Sequence, residues 1–549
     1  MYVDTAKSIQ GGKTYVRHLL RESFRENGKV KHRTIANLSN CSKEEIEAIK
    51  LALKHKNKLS TLVPVDKIKT KQGMRIGAIC FLKAIAKRTG LIQALGNQRN
   101  SKLALWQIFA RLIGQGSRLS AVRLAESHAA CDQIGLQVFN EDHLYDNLSW
   151  LAENQEKIEK RLFAIRHKNK IPRLFLYDVT SSYLEGIQNE LAAYGYNRDK
   201  KNGKMQIVIG LLTDDNGLPV SVRVFEGNTK DNKTVVDQVR LLADAFGVKN
   251  VTFVGDRGMV KQAQINDITN ENFHYITAIT KPQIEKLIRS GTFQLKLFEN
   301  KICEVVENDI RYVLRRNPLR AEEIERNRKS KFSKLKELLK TKNTYLSEHP
   351  RAKVEVAIKE VNSRIKKFKF NDWIEVKAKG RELGLSVDEK ARAEKYRLDG
   401  CYVIKTDLSD QSIDADTIHT RYKDLSKVEY AFRTFKNGHL EVRPIFVRKD
   451  HRTRGHVFVV MLAYLLENEI YKYWHGIEVT ISEGLDELGS LRATEIEIEN
   501  VKCQKVPRPD GLSKRLLDAA GVRLPSVAPD RKVHVATRKK LVSERKKQK

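Results

Sequence analysis

The order of strand-like and helix-like segments in the central part of the chain limits the possible folds more than any other feature. A run of β-branched and aromatic residues, RLFLYDVT, predicts a strand that ends at Asp178, and residues Met205 to Gly227 predict a β-hairpin. An amphipathic helix is predicted over Thr234 to Phe246, and the apolar run Val251 to Val254 predicts a further strand. This order indicates an α/β fold with a mixed sheet flanked by helices.

Two aspartates stand where apolar strand-like runs end, Asp178 after LFLY and Asp256 after VTFVG. Because the carboxyl ends of neighbouring strands meet at one edge of a sheet, these two side chains are expected to lie close together, where a ligand or metal ion could bind. The alternative is structural: Asp256 caps a helix that begins at Met259, and Asp178 starts a turn.

Residues Tyr422 to Phe435 predict an amphipathic helix that carries a third acidic residue. Because an α-helix turns by ~100° per residue, Tyr422, Glu429 and Lys436 lie on one face at intervals of about 10 Å. The apolar residues form a stripe roughly 80° away from that face: Leu425, Val428, Phe432 and Phe435. The helix can therefore pack on a sheet and present Glu429 at the edge of the packed face. The alternative is an exposed glutamate on a surface helix.

The charge balance of the 549 residues indicates a polyanionic partner. Lys and Arg number 102 against 68 Asp and Glu, a formal net charge of +34. A membrane-surface protein would concentrate such charge beside an amphipathic anchor, and a histone-like protein would contain fewer apolar residues, so nucleic acid is the expected partner. The longest apolar run, Val457 to Leu466, is about half as long as a membrane span. No membrane association and a cytoplasmic location are expected, since the N-terminal residues lack the features of a secretory signal.

Changes in periodicity and composition divide the chain into six predicted segments. The helical segment at 61–170 has basic faces that suit DNA contacts about as well as a role as a helical spacer. The six cysteines are scattered without metal-binding spacing, which predicts reduced thiols. The predicted segments are an N-terminal β-hairpin and helix module (1–60), the helical domain (61–170), the first part of the α/β core (171–285), a segment with a helical hairpin (286–398), the second part of the core (399–480) and a C-terminal segment with a basic tail (481–549).

Three segments carry the acidic residues: YDVTSSYLEG, FVGDRG and YKDLSKVEYAFRTFK. They resemble the three acidic motifs of bacterial insertion-sequence transposases of the DDE type, in particular the branch whose third motif is Tyr-x2-Arg-x3-Glu-x6-Lys. The resemblance extends over about residues 170 to 475. It implies an RNase H-like catalytic core that an α+β insertion domain (286–398) interrupts before the glutamate. Leu425 stands where the branch has arginine, and Arg421, Lys423 or Arg433 could supply that charge instead.

The resemblance also implies a reaction and the residues that perform it. Asp178, Asp256 and Glu429 would be the catalytic residues and the ligands of two divalent metal ions, Mg²⁺ or alternatively Mn²⁺, because such ions prefer oxygen ligands. Asp178 would bridge the two ions, and the other two acids would each bind one. The protein would cut DNA at the ends of an insertion sequence and join the freed 3′-hydroxyls to target DNA. Glu185 and Glu441 are the alternative acidic ligands near the motifs.

Double-stranded DNA, as terminal inverted repeats and as target, is the implied partner. The residues expected to contact it through phosphates are Tyr422, Lys436, Arg433 and Arg443. A homodimer is expected because two element ends must be processed together. Two other functions remain open: a DNA-end-binding protein without turnover, and a stand-alone nuclease on the same fold.

Overall fold

The fold comes from a computed structural model, which describes residues 1–56, 67–199, 201–298, 302–437, 440–442, 445–498, 501–528 and 535. The chain divides into two compact units. The first contains Met1–Met74, Arg492–Arg508 and Pro525–Asp530. The second contains Arg75–Leu491, Pro509–Leu524 and Arg531–Lys549. The predicted basic tail lies outside the described residues apart from Val535.

The described residues contain strands and helices with the following bounds. The strands are β1 Tyr2–Gln10, β2 Lys13–Glu26, β3 Lys29–Asn37, β4 Ile68–Arg75, β5 Leu174–Tyr183, β6 Gln206–Asp214, β7 Pro219–Glu226, β8 Thr252–Gly255, β9 His274–Ala278, β10 Cys303–Glu307, β11 Ile310–Arg316, β12 Ile374–Lys379, β13 Glu382–Val387, β14 Cys401–Thr406, β15 Arg492–Ile498, β16 Val501–Lys505 and β17 Val527–Ala528. The helices are α1 Lys43–Lys54, α2 Gly77–Arg88, α3 Leu91–Leu95, α4 Arg99–Gly114, α5 Arg118–Ser127, α6 Ala130–Ile134, α7 Glu141–Glu153, α8 Gln155–Arg166, α9 Val235–Arg240, α10 Gln262–Asn270, α11 Lys281–Arg289, α12 Pro318–Glu348, α13 Val354–Phe368, α14 Glu389–Tyr396, α15 Ala415–Lys423, α16 Leu425–Asn437, α17 Asp450–Trp474, α18 Ile481–Ser490 and α19 Gly511–Ala519.

The first unit contains two small sheets, and the first of them is antiparallel. The predicted hairpin corresponds to β2 and β3, joined at Asn27 and Gly28, whose φ angles of 49° and 77° suit a tight hairpin turn. β1 adds a third strand that the sequence analysis did not predict, because its residues alternate only weakly between apolar and polar. Helix α1 begins with a capping box between Ser42 and Glu45, as its sequence indicates. In the second sheet the order is β17-β16-β15-β4.

An eight-stranded mixed sheet forms the centre of the second unit, in the order β10-β11-β14-β9-β8-β5-β6-β7. β8 pairs in parallel with both β5 and β9, and the other neighbours are antiparallel. The strand, hairpin, helix and strand order predicted from the sequence is therefore found in β5 to β8. β10 and β11 belong to the sequence range 286–398, yet they extend the central sheet because β11 pairs with the distant strand β14.

The helices of the segment 61–170 pack around the long helix α17. Helices α4 and α7 both contact α17, and their buried residues share one hydrophobic core with the inner face of the sheet. Gly455 of α17 allows this close packing, since a Cβ atom there would overlap the main-chain carbonyl of Leu148 on α7. The apolar faces of these helices thus have a structural role, whereas their contact with DNA remains a prediction.

The predicted helical hairpin corresponds to α12 and α13. These two helices pack on each other and on the β12–β13 hairpin around a small core of their own. Leu335 of α12, Val361 of α13 and Trp373 before β12 are almost fully buried in that core. The segment from α12 to α14 therefore has its own hydrophobic centre beside the sheet.

Helix α17 contains the longest apolar run, Val457 to Leu466, and every side chain of that run is buried in the protein core. Within the described ranges, no helix has both the length and the apolar character needed to cross a membrane. All six cysteines lie in those ranges and are free thiols.

Candidate active site

The first two acidic residues come from neighbouring parallel strands. β5 and β8 pair in a register that places Tyr177 opposite Gly255. The residue after Tyr177 and the residue after Gly255 are both aspartates. Asp178 and Asp256 therefore lie side by side where the parallel pairing of β5 and β8 ends. The prediction that the first strand ends at Asp178 is wrong, because β5 also pairs with antiparallel β6 and continues to Tyr183. The aspartate therefore lies within a strand and has a more rigid backbone than a turn residue would have.

The third acidic residue, Glu429, lies on helix α16, which packs on β5. The predicted apolar stripe of this helix is buried, with each side chain at most 9% exposed: Leu425, Val428, Phe432 and Phe435. Glu429 is exposed beside that stripe. The prediction of one helix starting at Tyr422 is wrong, since α15 ends at Lys423 and α16 begins at Leu425. Asp424 lies at the break, and aspartate favours helix ends over helix interiors.

All three acidic residues line one cavity of about 380 Å³. It is formed by the middle of β5, the residue that follows β8, the α15–α16 junction, the residue that follows β11 and the start of β14. The lining residues are Asp178, Asp256, Asn317, Tyr402, Tyr422, Lys423, Leu425, Ser426 and Glu429. We call this space the acidic cavity.

The carboxylate of Asp178 is the most perturbed of the three. Burial raises the pKa of Asp178 to about 7, against the effect of the Val179 N–H, which donates to its Oδ1 at 2.8 Å. The neighbouring carboxylates of Asp256 and Glu429 raise this pKa further, whereas the positive charge of Arg198 lowers it. The acidic cavity therefore concentrates negative charge that lacks a sufficient counter-charge.

Tyr422 contributes a hydrogen-bond donor to the same cavity. Its hydroxyl group donates to Asp256 Oδ1 at 3.0 Å. Burial and the nearby Asp256 carboxylate both raise the pKa of Tyr422, so the phenol stays protonated and orients one oxygen of that carboxylate.

The chemistry of the three side chains fits a divalent cation of the Mg²⁺ class. Carboxylate oxygens are the ligands that such ions prefer. The pKa of Asp178 is raised mainly by burial and to a smaller extent by the two neighbouring carboxylates, and a cation in the cavity would offset both effects. Within the part of the chain that the structure describes, no three acidic, histidine or cysteine side chains are already close enough to enclose a metal ion.

Two protein-family profiles match the sequence. The profile described as "IS1634 family transposase, N-terminal domain" matches residues 3–63, and the profile described as "Transposase DDE domain" matches residues 169–466, more than half of the chain. The chain belongs to the DDE transposase family. The resemblance to bacterial insertion-sequence transposases of this type is thereby confirmed, and so is the RNase H-like mixed sheet flanked by helices. Membership of the branch with the Tyr-Arg-Glu-Lys signature stays a prediction.

One solved structure similar to this DDE transposase is the cryo-EM structure of the piggyBac transposase synaptic complex with hairpin DNA. The sequence identity is 9% and the TM-score is 0.36, over 76% of this chain and 82% of that chain. No curated protein matches the sequence.

Two other residues of the third motif, Lys436 and Leu425, have largely buried side chains in this DDE transposase. Lys436 forms an ion pair with Asp199, at 2.8 Å between Nζ and Oδ1, and the two side chains are only 10% and 2% exposed. Asp199 also accepts a hydrogen bond from the Tyr183 N–H. Lys436 thus ties α16 to the loop between β5 and β6. Leu425, in the position of the family arginine, packs in the hydrophobic core and lines the acidic cavity.

The remaining predicted contacts lie in different places. Arg433 is exposed on α16, and Arg443 lies outside the described residues. Of the two alternative acids, Glu185 pairs with Lys204 at 2.6 Å, and Glu441 lines a separate cavity of about 660 Å³. Neither acid is among the residues that line the acidic cavity.

Sequence reasoning missed several residues that line the acidic cavity. Asn317 follows strand β11 and caps helix α12, and Tyr402 belongs to strand β14; both reach the site only through the order of strands in the sheet. No local signal in the sequence distinguishes them. Lys423 was considered only as a substitute for the family arginine, and it does line the cavity.

Proposed function

We propose that this DDE transposase cleaves DNA at the ends of an insertion sequence and joins the 3′-hydroxyl ends to target DNA. The observation that carries the proposal is that Asp178, Asp256 and Glu429, from three separate elements, line one cavity. Acidic residues that converge in this way provide the oxygen ligands that phosphoryl transfer with divalent ions requires.

Each acidic residue has an assigned role in the proposed reaction. Two divalent ions, Mg²⁺ or Mn²⁺, would be held by these carboxylates, with Asp178 as a ligand of both ions and Asp256 and Glu429 as ligands of one ion each. When bound, such ions activate a water molecule or 3′-hydroxyl for attack and stabilise the oxygen that leaves phosphorus. The Val179 N–H holds the Asp178 carboxylate in place, and the Tyr422 hydroxyl orients Asp256. No covalent link between protein and DNA is needed.

We assign DNA backbone contacts to Tyr422, Arg433, Lys436 and Arg443. The exposed position of Arg433 supports its assignment. For Lys436 the support is its place in the third motif, although its ammonium group already pairs with Asp199. We also propose that the α12–α14 segment is the domain inserted in the RNase H-like core, and that two copies of the chain act together on two element ends.

The proposal is tested with the purified full-length chain, Mg²⁺, a supercoiled target plasmid and a labelled duplex. The duplex carries the inverted repeat found in the DNA that flanks the gene. We expect labelled ends joined to the plasmid. Glu429→Gln should abolish cutting and joining while DNA binding in a gel shift persists. The matched control is Glu185→Gln, which removes an acid near the first motif that pairs with Lys204 and should leave joining intact.

The same assay separates the two rival functions. Cut ends without joined products would indicate a nuclease, and a gel shift without cutting would indicate a DNA-end-binding protein. The second rival has one observation in its favour, which is Leu425 in the place of the family arginine. Cutting by the Glu429→Gln variant would remove Glu429 from the proposed site.

A further inference from the structure

Two further cavities lie beside the second acidic motif and carry positive charge. The first has a volume of about 350 Å³, and its charged lining residues are Arg198, Lys230, Lys261 and Asp231. The second has a volume of about 280 Å³, and its charged lining residues are Arg257, Lys261 and Lys405. Lys261 lines both, so the two cavities adjoin. We call the five basic residues the cationic track: Arg198, Lys230, Arg257, Lys261 and Lys405.

The charges of the cationic track are mostly uncompensated. Arg198 forms an ion pair with Asp231, at 2.6 Å between Nη2 and Oδ2. Among the described residues, no carboxylate lies within 4.0 Å of the other four basic groups. Basic groups held close together repel one another, which raises the free energy of the folded chain, and an anionic ligand would supply the missing counter-charge.

Helix ends add to this positive potential. Helices α10 and α11, each nine residues long, begin at the second cavity, which is lined by Gln262 of α10 and by Thr280 and Gln283 at the start of α11. The amino end of a helix carries a partial positive charge. Two such ends beside three basic side chains favour the binding of phosphate groups.

The cationic track lies next to the acidic cavity. Arg257 and Lys261 follow Asp256 in one short segment between β8 and α10. Arg198 is hydrogen-bonded through its main-chain N–H to Ser181, three residues beyond Asp178 on β5. A DNA strand bound along the cationic track would therefore lead directly into the acidic cavity.

The loop that carries Arg198 is held in a defined position. The main-chain N–H of Arg198 donates to Ser181 Oγ of β5 at 2.9 Å. The adjacent residue Asp199 pairs with Lys436 of α16, the helix that also carries Glu429. The guanidinium group also lies over the exposed ring of Tyr196, 5.7 Å from the ring centroid. These contacts preorganise Arg198 at the edge of the acidic cavity, which reduces the entropy that binding would cost.

We infer that the cationic track binds the phosphate backbone of a DNA strand that enters the acidic cavity. The inference rests on the proposed function and adds a substrate-binding surface to it. The strand could belong to the element end or to the target, since both present the same phosphates. The ion pair between Lys436 and Asp199 also holds the Arg198 loop against α16.

The test measures how DNA affinity depends on salt. The double variant Lys230→Gln with Lys261→Gln removes two charges of the track, and both side chains are exposed, so the fold should be kept. The matched control is Lys233→Gln with Lys249→Gln, which removes two exposed charges outside both cavities. Binding of the full-length proteins is measured in EDTA, with a terminal-repeat duplex and with a duplex that lacks the repeat.

We expect the slope of log affinity against log salt to fall in magnitude by about 1.8 in the track variant, at about 0.9 per lost phosphate contact on duplex DNA. The control pair should retain the parent slope, and the Lys230→Arg with Lys261→Arg variant should restore it. If the slope falls only with the terminal-repeat duplex, the track binds the element end. If it falls only with the duplex that lacks the repeat, the track binds the target DNA. Unchanged slopes with both duplexes, or an equal fall in the control pair, would overturn the inference.

The outcome is independent of catalysis because no cleavage occurs in EDTA. If the parent protein joins DNA but the track variant keeps the parent slope, the inference fails and the proposed function stands. If the slope falls as expected but the parent neither cuts nor joins DNA in Mg²⁺, the proposed function fails and the DNA-binding track stands.

Discussion

Replacing Asp178 by asparagine should make the metal-free protein more stable, and increasingly so as the pH rises. Burial raises the pKa of Asp178 from the usual 3.8 to about 7. Below about pH 4 the carboxyl group is protonated in both the folded and the unfolded chain, so it has no effect on stability. Between about pH 4 and pH 7 only the unfolded chain loses the proton, so the free energy of unfolding falls as the pH rises.

The size of the effect follows from the two pKa values. A rise from 3.8 to about 7 corresponds to roughly 4 kcal/mol, at about 1.36 kcal/mol per pH unit. Because the side chain is partly open to the acidic cavity, the measured effect should be smaller than this value. The asparagine side chain still accepts a hydrogen bond from the Val179 N–H, so the substitution removes the charge and keeps that contact.

The measurement is urea unfolding of the parent and Asp178→Asn proteins in EDTA. Between pH 5 and pH 8 the stability difference in favour of the variant should grow by up to roughly 3 kcal/mol. Mg²⁺ should stabilise the parent more than the variant, since a ligand stabilises the state that binds it. A constant difference across this pH range would refute the reasoning, and so would a variant less stable than the parent at pH 8.

Asp414 provides a control of opposite sign. Its carboxylate caps helix α15 and accepts hydrogen bonds from Thr417, which lower the pKa of Asp414. Its contribution to stability is therefore present above the usual pKa and is lost as the pH falls through the lowered value. Asp414→Asn should therefore make the chain less stable at neutral pH, the direction opposite to Asp178→Asn.

Two substitutions in the third motif test the remaining assignments. Lys436→Met should destabilise the chain by roughly 3–5 kcal/mol in urea unfolding, because it removes one partner of a buried ion pair with Asp199. An unchanged stability would contradict this expectation and leave Lys436 with only its proposed role as a DNA backbone contact. Leu425→Arg should cost roughly 2–3 kcal/mol, because a buried leucine side chain is lost from the core. An arginine variant that keeps the parent stability and binds the terminal repeat more tightly would contradict that expectation, and would show that the site still accepts the family arginine.

The acidic site was predictable because its residues follow simple local patterns. Apolar runs ended at Asp178 and Asp256, and a helical stripe placed Glu429 at the edge of a packed face. The structure brings all three to one cavity, while their roles in catalysis remain a proposal. The sequence pattern was least informative for Lys436, which we assign to a DNA phosphate. The position of a lysine on a helix does not indicate whether an acidic residue on a distant loop forms an ion pair with it, as Asp199 does here.

Local sequence by itself determined the elements: the hairpins, the capping box at Ser42, the amphipathic face of α16 and the basic character of the chain. Those features depend on residues within a few positions of one another, so local sequence patterns predict them. Only the tertiary structure decided that β5 continues past its aspartate, that β10 and β11 join the central sheet, and that Lys436 forms an ion pair with Asp199. Each of these depends on contacts between segments far apart in the chain, and the periodicity of a single segment does not predict such contacts. The cationic track belongs to the same class, because its five charges come from loops and strands that only the sheet brings together.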